Sequence, residues 1–204
     1  MVGAATVSLR RVPSALPEIW LGRHGETEWT ISRRHTGTTD IPLTERGREE
    51  ARRLGRSFAG VEFARVLSSP LIRAAETARL AGLEPEPDDR LVEWDYGDYE
   101  GRTTAEIKQE RPGWDLWRDG CPGGESAADV GARLRPLLEE LRALDGGRVA
   151  IFGHGHCLRA LAACWLLLGP EEGRVLLLGT ASLSVMATEH GAPVIASWNL
   201  VHSL

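Results

Sequence analysis

Two short apolar runs, Glu18–Arg23 and Arg148–Phe152, each lead into a turn that sets histidine beside glycine. Arg23-His24-Gly25 follows the first, and Gly153-His154-Gly155-His156 follows the second. Runs of this length read as strands. Between and around them the spacing turns helical. Thr44 is placed to cap a helix over 47–58, with Ala51, Leu54 and Phe58 on one face. Ser69-Pro70 opens a helix to about Ala81, with proline where its missing N–H is harmless. Residues 126–144 carry the stripe Val130, Leu134, Leu137, Leu138 and Leu141, and 156–168 reads as a buried helix. Residues 61–67 form a further strand, 104–111 a short helix, and 181–188 and 193–199 a terminal strand pair; 91–101 and 114–125 read as loops.

This alternation predicts an α/β three-layer sandwich, with a mostly parallel central sheet and helices on both faces. The expected organisation is one domain over 1–204, with 1–17 as a loose extension. In such sheets ligands bind beyond the carboxyl ends of the strands, where His24 and His154 fall.

Composition narrows the function classes. The 204 residues carry a formal net charge of −5, against the basic excess of a nucleic-acid binder. The longest apolar run, 160–168, is about half the ~20 residues of a membrane span. Three cysteines without CxxC spacing suit a reducing cytoplasm. A small anionic metabolite stays compatible with the acidic chain, because a few placed arginines decide the local field. A homo-oligomer is also compatible with it.

Four segments carry chemistry. In Arg23-His24-Gly25-Glu26-Thr27, a histidine with one nitrogen held and the other free can attack phosphorus. Arg23 can grip phosphoryl oxygens, and Gly25 permits close backbone approach. The alternative is a histidine buried at a strand end. Arg73 falls in the first turn of a helix, where an anion is favoured; the alternative is a surface ion pair with Glu76 or Asp88. His154 and His156 are two residues apart, which does not suit a helical metal pair. The run Leu91–Gly101 interleaves acids with aromatics, a setting for a proton donor. Four acids are present there, and spacing alone does not choose among them.

Together these segments resemble the histidine phosphatases, the family that includes the cofactor-dependent phosphoglycerate mutases, over nearly the whole stretch 19–199. The resemblance implies His24 as the phosphorylated nucleophile, Glu93 as the proton donor, and Arg23, Arg73 and His154 as phosphate-pocket residues. It implies substrate contacts from Thr36, Gly37, Tyr96, Gly155 and His156, and no metal or cofactor. Thr30 stands where the family usually has asparagine. The segment 102–124 is shorter than in the mutases, which turns the expectation towards hydrolysis. A mutase and a catalytically idle phosphate-binding protein are the alternatives. Residues 93–101 and 114–122 look most like the acid phosphatase and sedoheptulose-bisphosphatase types. Trp114, Trp117 and Arg118 are candidates for a lid over the substrate; the alternative is a tryptophan cluster packing a long loop. The expected substrate is a small phosphorylated metabolite, its alcohol unspecified.

Overall fold

Strand β1 (Glu18–Arg23) occupies the middle of a six-stranded sheet in the computed structural model, which describes residues 16–201. The expected extension over 1–17 lies, up to residue 15, outside the described residues. β1 pairs in parallel with β4 (Arg148–Gly153), β4 with β2 (Arg65–Ser68), and β2 with the two-residue β3 (Glu86–Pro87). On its other side β1 pairs antiparallel with β5 (Leu183–Glu189), which forms a hairpin with β6 (Ala192–Leu200). The order is β3-β2-β4-β1-β5-β6.

Alternation along β4 shows how both faces are covered. Val149 and Ile151 point into one core, Ala150 and Phe152 into the other. The first core receives α6 (Ala127–Arg142) and α7 (Gly155–Trp165). The second receives α2 (Glu45–Phe58) through Leu54 and Phe58, and α3 (Ile72–Leu80) through Ala78. This is the expected sandwich, with a mixed, mostly parallel sheet.

Local signals account for most helix ends. Thr44 caps α2 by accepting from the Gly47 N–H, and Ser126 forms a capping box with Asp129 at α6. The structure corrects the opening of α3: Leu71, not Ser69-Pro70, is the cap residue, and it has no side-chain cap bond. A one-turn helix, α1 (Glu28–Ile31), follows the first histidine turn and is too short for periodicity to mark. Between Leu91 and Glu125, the segments read as loops hold a 3-10 turn at Gly97–Tyr99 and α5 (Leu116–Asp119), while α4 (Thr104–Glu110) is the expected short helix between them. Trp94, Tyr99, Trp114 and Trp117 from this stretch are buried in the first core.

Candidate active site

The register of β1 on β4 sets Arg23 opposite Gly153, so the two histidine turns leave the sheet side by side. The His24 N–H donates to the Gly153 carbonyl at 3.0 Å, and the rings of His24 and His154 lie 5.2 Å apart between centroids.

Gly25 has two tasks here, both of them structural. A Cβ on it would lie 2.3 Å from the carbonyl oxygen of Gly47, so only glycine lets this turn touch the start of α2. Its own carbonyl holds His24 Nδ1 at 2.8 Å. A carbonyl only accepts, so Nδ1 carries the hydrogen and Nε2 keeps its lone pair. Burial, then the charges of Arg23 and Arg73, hold the proton affinity of His24 well below the usual histidine range. The side chain is therefore a neutral imidazole with one nitrogen free. The close approach read from Gly25 is real, but its partner is α2.

Arg73 is fully buried, and its alternative surface pairing is absent: Glu76 pairs with Arg48, and Asp88 with Arg90. Its Nε donates to His154 Nδ1 at 3.1 Å, and its outer nitrogens donate to the carbonyls of Thr36, Gly37 and Thr39. His154 Nε2 stands 2.8 Å from Ser69 Oγ. Accepting at Nδ1 puts the ring hydrogen on Nε2, so His154 is neutral as well. Burial first, then Arg73, keeps its proton affinity well below the ordinary value.

Glu93 is 5% exposed and sits at the N-terminus of α7. One oxygen, Oε1, accepts from the N–H groups of Trp94 and Cys157; the other, Oε2, accepts from that of His156. Among the acids of its segment, Glu93 is the one that lines the cavity described next; Asp95 and Glu100 hold loop backbone. Arg133 braces the Glu93 segment from α6, donating to the carbonyls of Arg90 and Glu93 while paired with Glu125 at 2.8 Å.

A cavity of about 260 Å³ opens over these groups, lined by Arg23, His24, Thr30, Thr36, Glu93 and Tyr96, with Gly155 and His156 beside them. The Tyr96 hydroxyl lies 2.6 Å from His156 Nδ1. Burial, then Glu93, raises the Tyr96 proton affinity well above the usual phenol, so the hydroxyl keeps its proton beside His156. Arg73 and His154 lie behind this wall. Gly37 does not line the cavity either; its N–H goes to Glu100 and its carbonyl to Arg73. The Thr30 hydroxyl is engaged locally, bonding the N–H and carbonyl of Thr27 in the cap of α1.

Arg118 is a correction. It is exposed, paired with its neighbour Asp119 and bonded to the Gly113 carbonyl, and it borders a different depression beside Glu171 and Glu172. A four-residue helix fixes this orientation by pointing Arg118 outward and burying Trp117. Trp114 and Trp117 are buried in the first core, with Trp117 edge-on to Trp94 at 5.3 Å, the packing of the alternative reading.

Sequence reasoning did not single out Arg33, Arg34, His35 and Arg159, which also border the cavity. Arg159 lies three residues beyond His156 on α7, a spacing that shares a helix face and was a usable signal. Among the described residues, no group of three or more His, Cys, Asp or Glu side chains is placed to hold a metal ion. Among them also, no helix is long and apolar enough to cross a membrane.

The chain belongs to the histidine phosphatase superfamily, branch 1, whose family model matches residues 19–201. It is 40% identical over 181 residues to an acid phosphatase of Mycobacterium tuberculosis, covering 85% of this chain and 88% of that one. It is 37% identical over 195 residues to the sedoheptulose 1,7-bisphosphatase of Saccharomyces cerevisiae, covering 79% and 72%. A solved structure of an open reading frame product from Mycobacterium tuberculosis superposes with a TM-score of 0.86 at 38% identity, covering 91% of this chain and 98% of that one. Fold, family and the buried His154 network make this chain a phosphomonoesterase.

Proposed function

We propose that the chain hydrolyses phosphate monoesters of small metabolites, sugar phosphates or similar compounds, through a phosphohistidine at His24. The observation that carries this reading is the state of His24: neutral, held at Nδ1 by Gly25, with Nε2 free in a cavity flanked by arginine.

In the first step Nε2 forms a bond to phosphorus as the ester P–O bond breaks in line with it. Arg23, with Arg73 and His154 behind the nucleophile, stabilises the charge that develops on the phosphoryl oxygens. Glu93 gives its proton to the leaving oxygen. Oε2, with one backbone partner where Oε1 has two, is the freer oxygen for that transfer. In the second step water attacks phosphorus, Glu93 takes a proton from it, and the P–N bond breaks to release phosphate. Thr36, Tyr96, Gly155 and His156 contact the alcohol. The low proton affinity of His24 keeps it nucleophilic in mildly acidic solution, in accord with the name of the acid phosphatase relative.

Phosphate release from para-nitrophenyl phosphate tests the reading, together with alkaline quenching to look for a base-stable phosphoryl group on the protein that acid then removes. Both signals should vanish in His24→Ala. Full activity in that variant would sink the mechanism. Conversion of 3-phosphoglycerate to 2-phosphoglycerate without phosphate release, in the presence of 2,3-bisphosphoglycerate, would replace hydrolase by mutase.

A further inference from the structure

The mouth of the His24 cavity holds more positive charge than one phosphoryl group requires. Arg33, Arg34 and Arg159 border it in addition to Arg23, and Glu93 is the only carboxylate among the described residues that line it. Elsewhere on this acidic chain arginines such as Arg48 and Arg90 are neutralised by carboxylates. At the mouth, Arg33, Arg34 and Arg159 make no close ion pair with a carboxylate among the described residues. Arg34 donates to the Gly101 carbonyl. Arg159 donates to the carbonyls of Gly173 and Arg174 and lies over the Trp117 ring at 4.8 Å. The Arg33 guanidinium is exposed and has no hydrogen bond or ion pair among the described residues.

The backbone at Arg33 gives an independent observation. The residue follows the one-turn helix α1, with Ser32 as its C-cap, and has a φ of +57°. The chain doubles back here, with the Arg34 N–H reaching the Trp29 carbonyl at 2.9 Å. This is the left-handed position that closes many helices, and glycine or asparagine normally fills it. An arginine here is held in a conformation that glycine would adopt without strain. The turn explains the positive φ, and it does not explain the side chain. A strained residue whose charged end is unpaired at the rim of an active-site cavity points to a ligand.

We infer that Arg33 selects substrates that carry a second anionic group, phosphate or carboxylate, on the alcohol portion. The group is held at the mouth while the scissile phosphoryl group lies against His24. The inference deepens the phosphatase reading and rests on it for the position of the first phosphate. Its scale fits: at about 30 Å³ per water, a cavity of about 260 Å³ encloses a phosphoryl group and a few further atoms. The far end of a small sugar phosphate then reaches the rim, where Arg34 and Arg159 share the field.

Equilibrium binding to the His24→Ala chain tests this without turnover. The probes are fructose 1,6-bisphosphate, fructose 6-phosphate and 3-phosphoglycerate, each titrated with Arg33 present and with Arg33→Gly added. The expected result is that Arg33→Gly weakens the bisphosphate at least tenfold more than the monophosphate, and that Arg33→Lys recovers part of the difference. A parallel loss for 3-phosphoglycerate identifies any second anion as the determinant; a loss confined to the bisphosphate identifies a phosphate. Equal factors on mono- and bisphosphate overturn the inference, as does a parent chain that binds the bisphosphate no more tightly than the monophosphate. Failure of the phosphatase reading would show separately, as absent phosphate release by the unmutated chain. Arg33→Gly relieves the backbone at its site, so misfolding does not confound the comparison.

Discussion

At the deep end of the cavity the functional groups are locked before any substrate arrives. His24 is held by Gly25, Arg73 by three carbonyls and His154, and Glu93 by three N–H groups. At the mouth, among the described residues, Arg33 is unpaired, Arg34 is tethered to a carbonyl, and Arg159 is held by carbonyls and the Trp117 ring. The deep end suits a reacting group common to many esters, where orientation held in advance lowers the barrier. The mouth suits discrimination, where adaptable charge meets a variable alcohol. On this comparison, substitutions deep in the site should fall on every substrate alike, and those at the mouth should separate substrates.

The largest effect is expected from His24→Ala. Without a nucleophile, kcat should fall by on the order of 10⁴-fold or more for every ester, measured as phosphate release. A loss that differed strongly between esters would break the division between the two ends.

Next is Glu93→Gln, with an expected loss of about 10²- to 10⁴-fold for sugar phosphates. The loss should be smaller for para-nitrophenyl phosphate, whose leaving group needs little protonation. The amide also brings an N–H group against the N–H groups that the carboxylate accepts, so a stability loss of about 1–3 kcal/mol should accompany it in urea unfolding. Equal kinetic losses for both esters would remove Glu93 as the proton donor.

Acid should then expose the buried histidines. His24, His154 and His156 have proton affinities held well below the ordinary value by burial, and His35 is lowered to about 4. Each is neutral in the native state while the unfolded chain protonates near pH 6.5. The unfolded state therefore binds more protons below that pH, and stability is lost as the pH falls from about 6.5 through the native values. Each such histidine should remove about 2 kcal/mol between pH 7 and pH 5, so the four together should cost several kcal/mol in denaturant titrations. In His35→Phe the drop should be shallower, because the share from the mouth is gone. A pH-independent stability over this range would contradict the assigned neutral states.

The same division explains what could be read from the chain. The deep end was legible because its residues follow strand ends: a parallel sheet brings the turns at His24 and His154 together, and short-range turn chemistry marks both. The sandwich was legible because apolar spacing reports which face of each helix is buried. Arg118 misled because a single exposed turn, α5, sets its direction, and no periodicity reports that. The Glu125–Arg133 brace joins two segments through tertiary contacts that leave no local trace. Arg33 was illegible because its placement depends on the one-turn helix before it, and four residues are too few to show a period.

The smallest effect is the one that separates the two ends most cleanly. Arg33→Gly should stabilise the fold by about 0.5–1 kcal/mol, since a left-handed backbone position strains arginine and not glycine. Part of that gain is offset by the larger conformational freedom of glycine in the unfolded chain. The midpoint of urea unfolding should therefore rise slightly, with an unchanged denaturant slope. If binding of a second anion weakens in the same variant, stability and recognition move in opposite directions at one residue. That is the behaviour of a side chain kept for a ligand. A midpoint that falls would show that Arg33 holds the turn together, and its place would belong with the locked groups of the deep end.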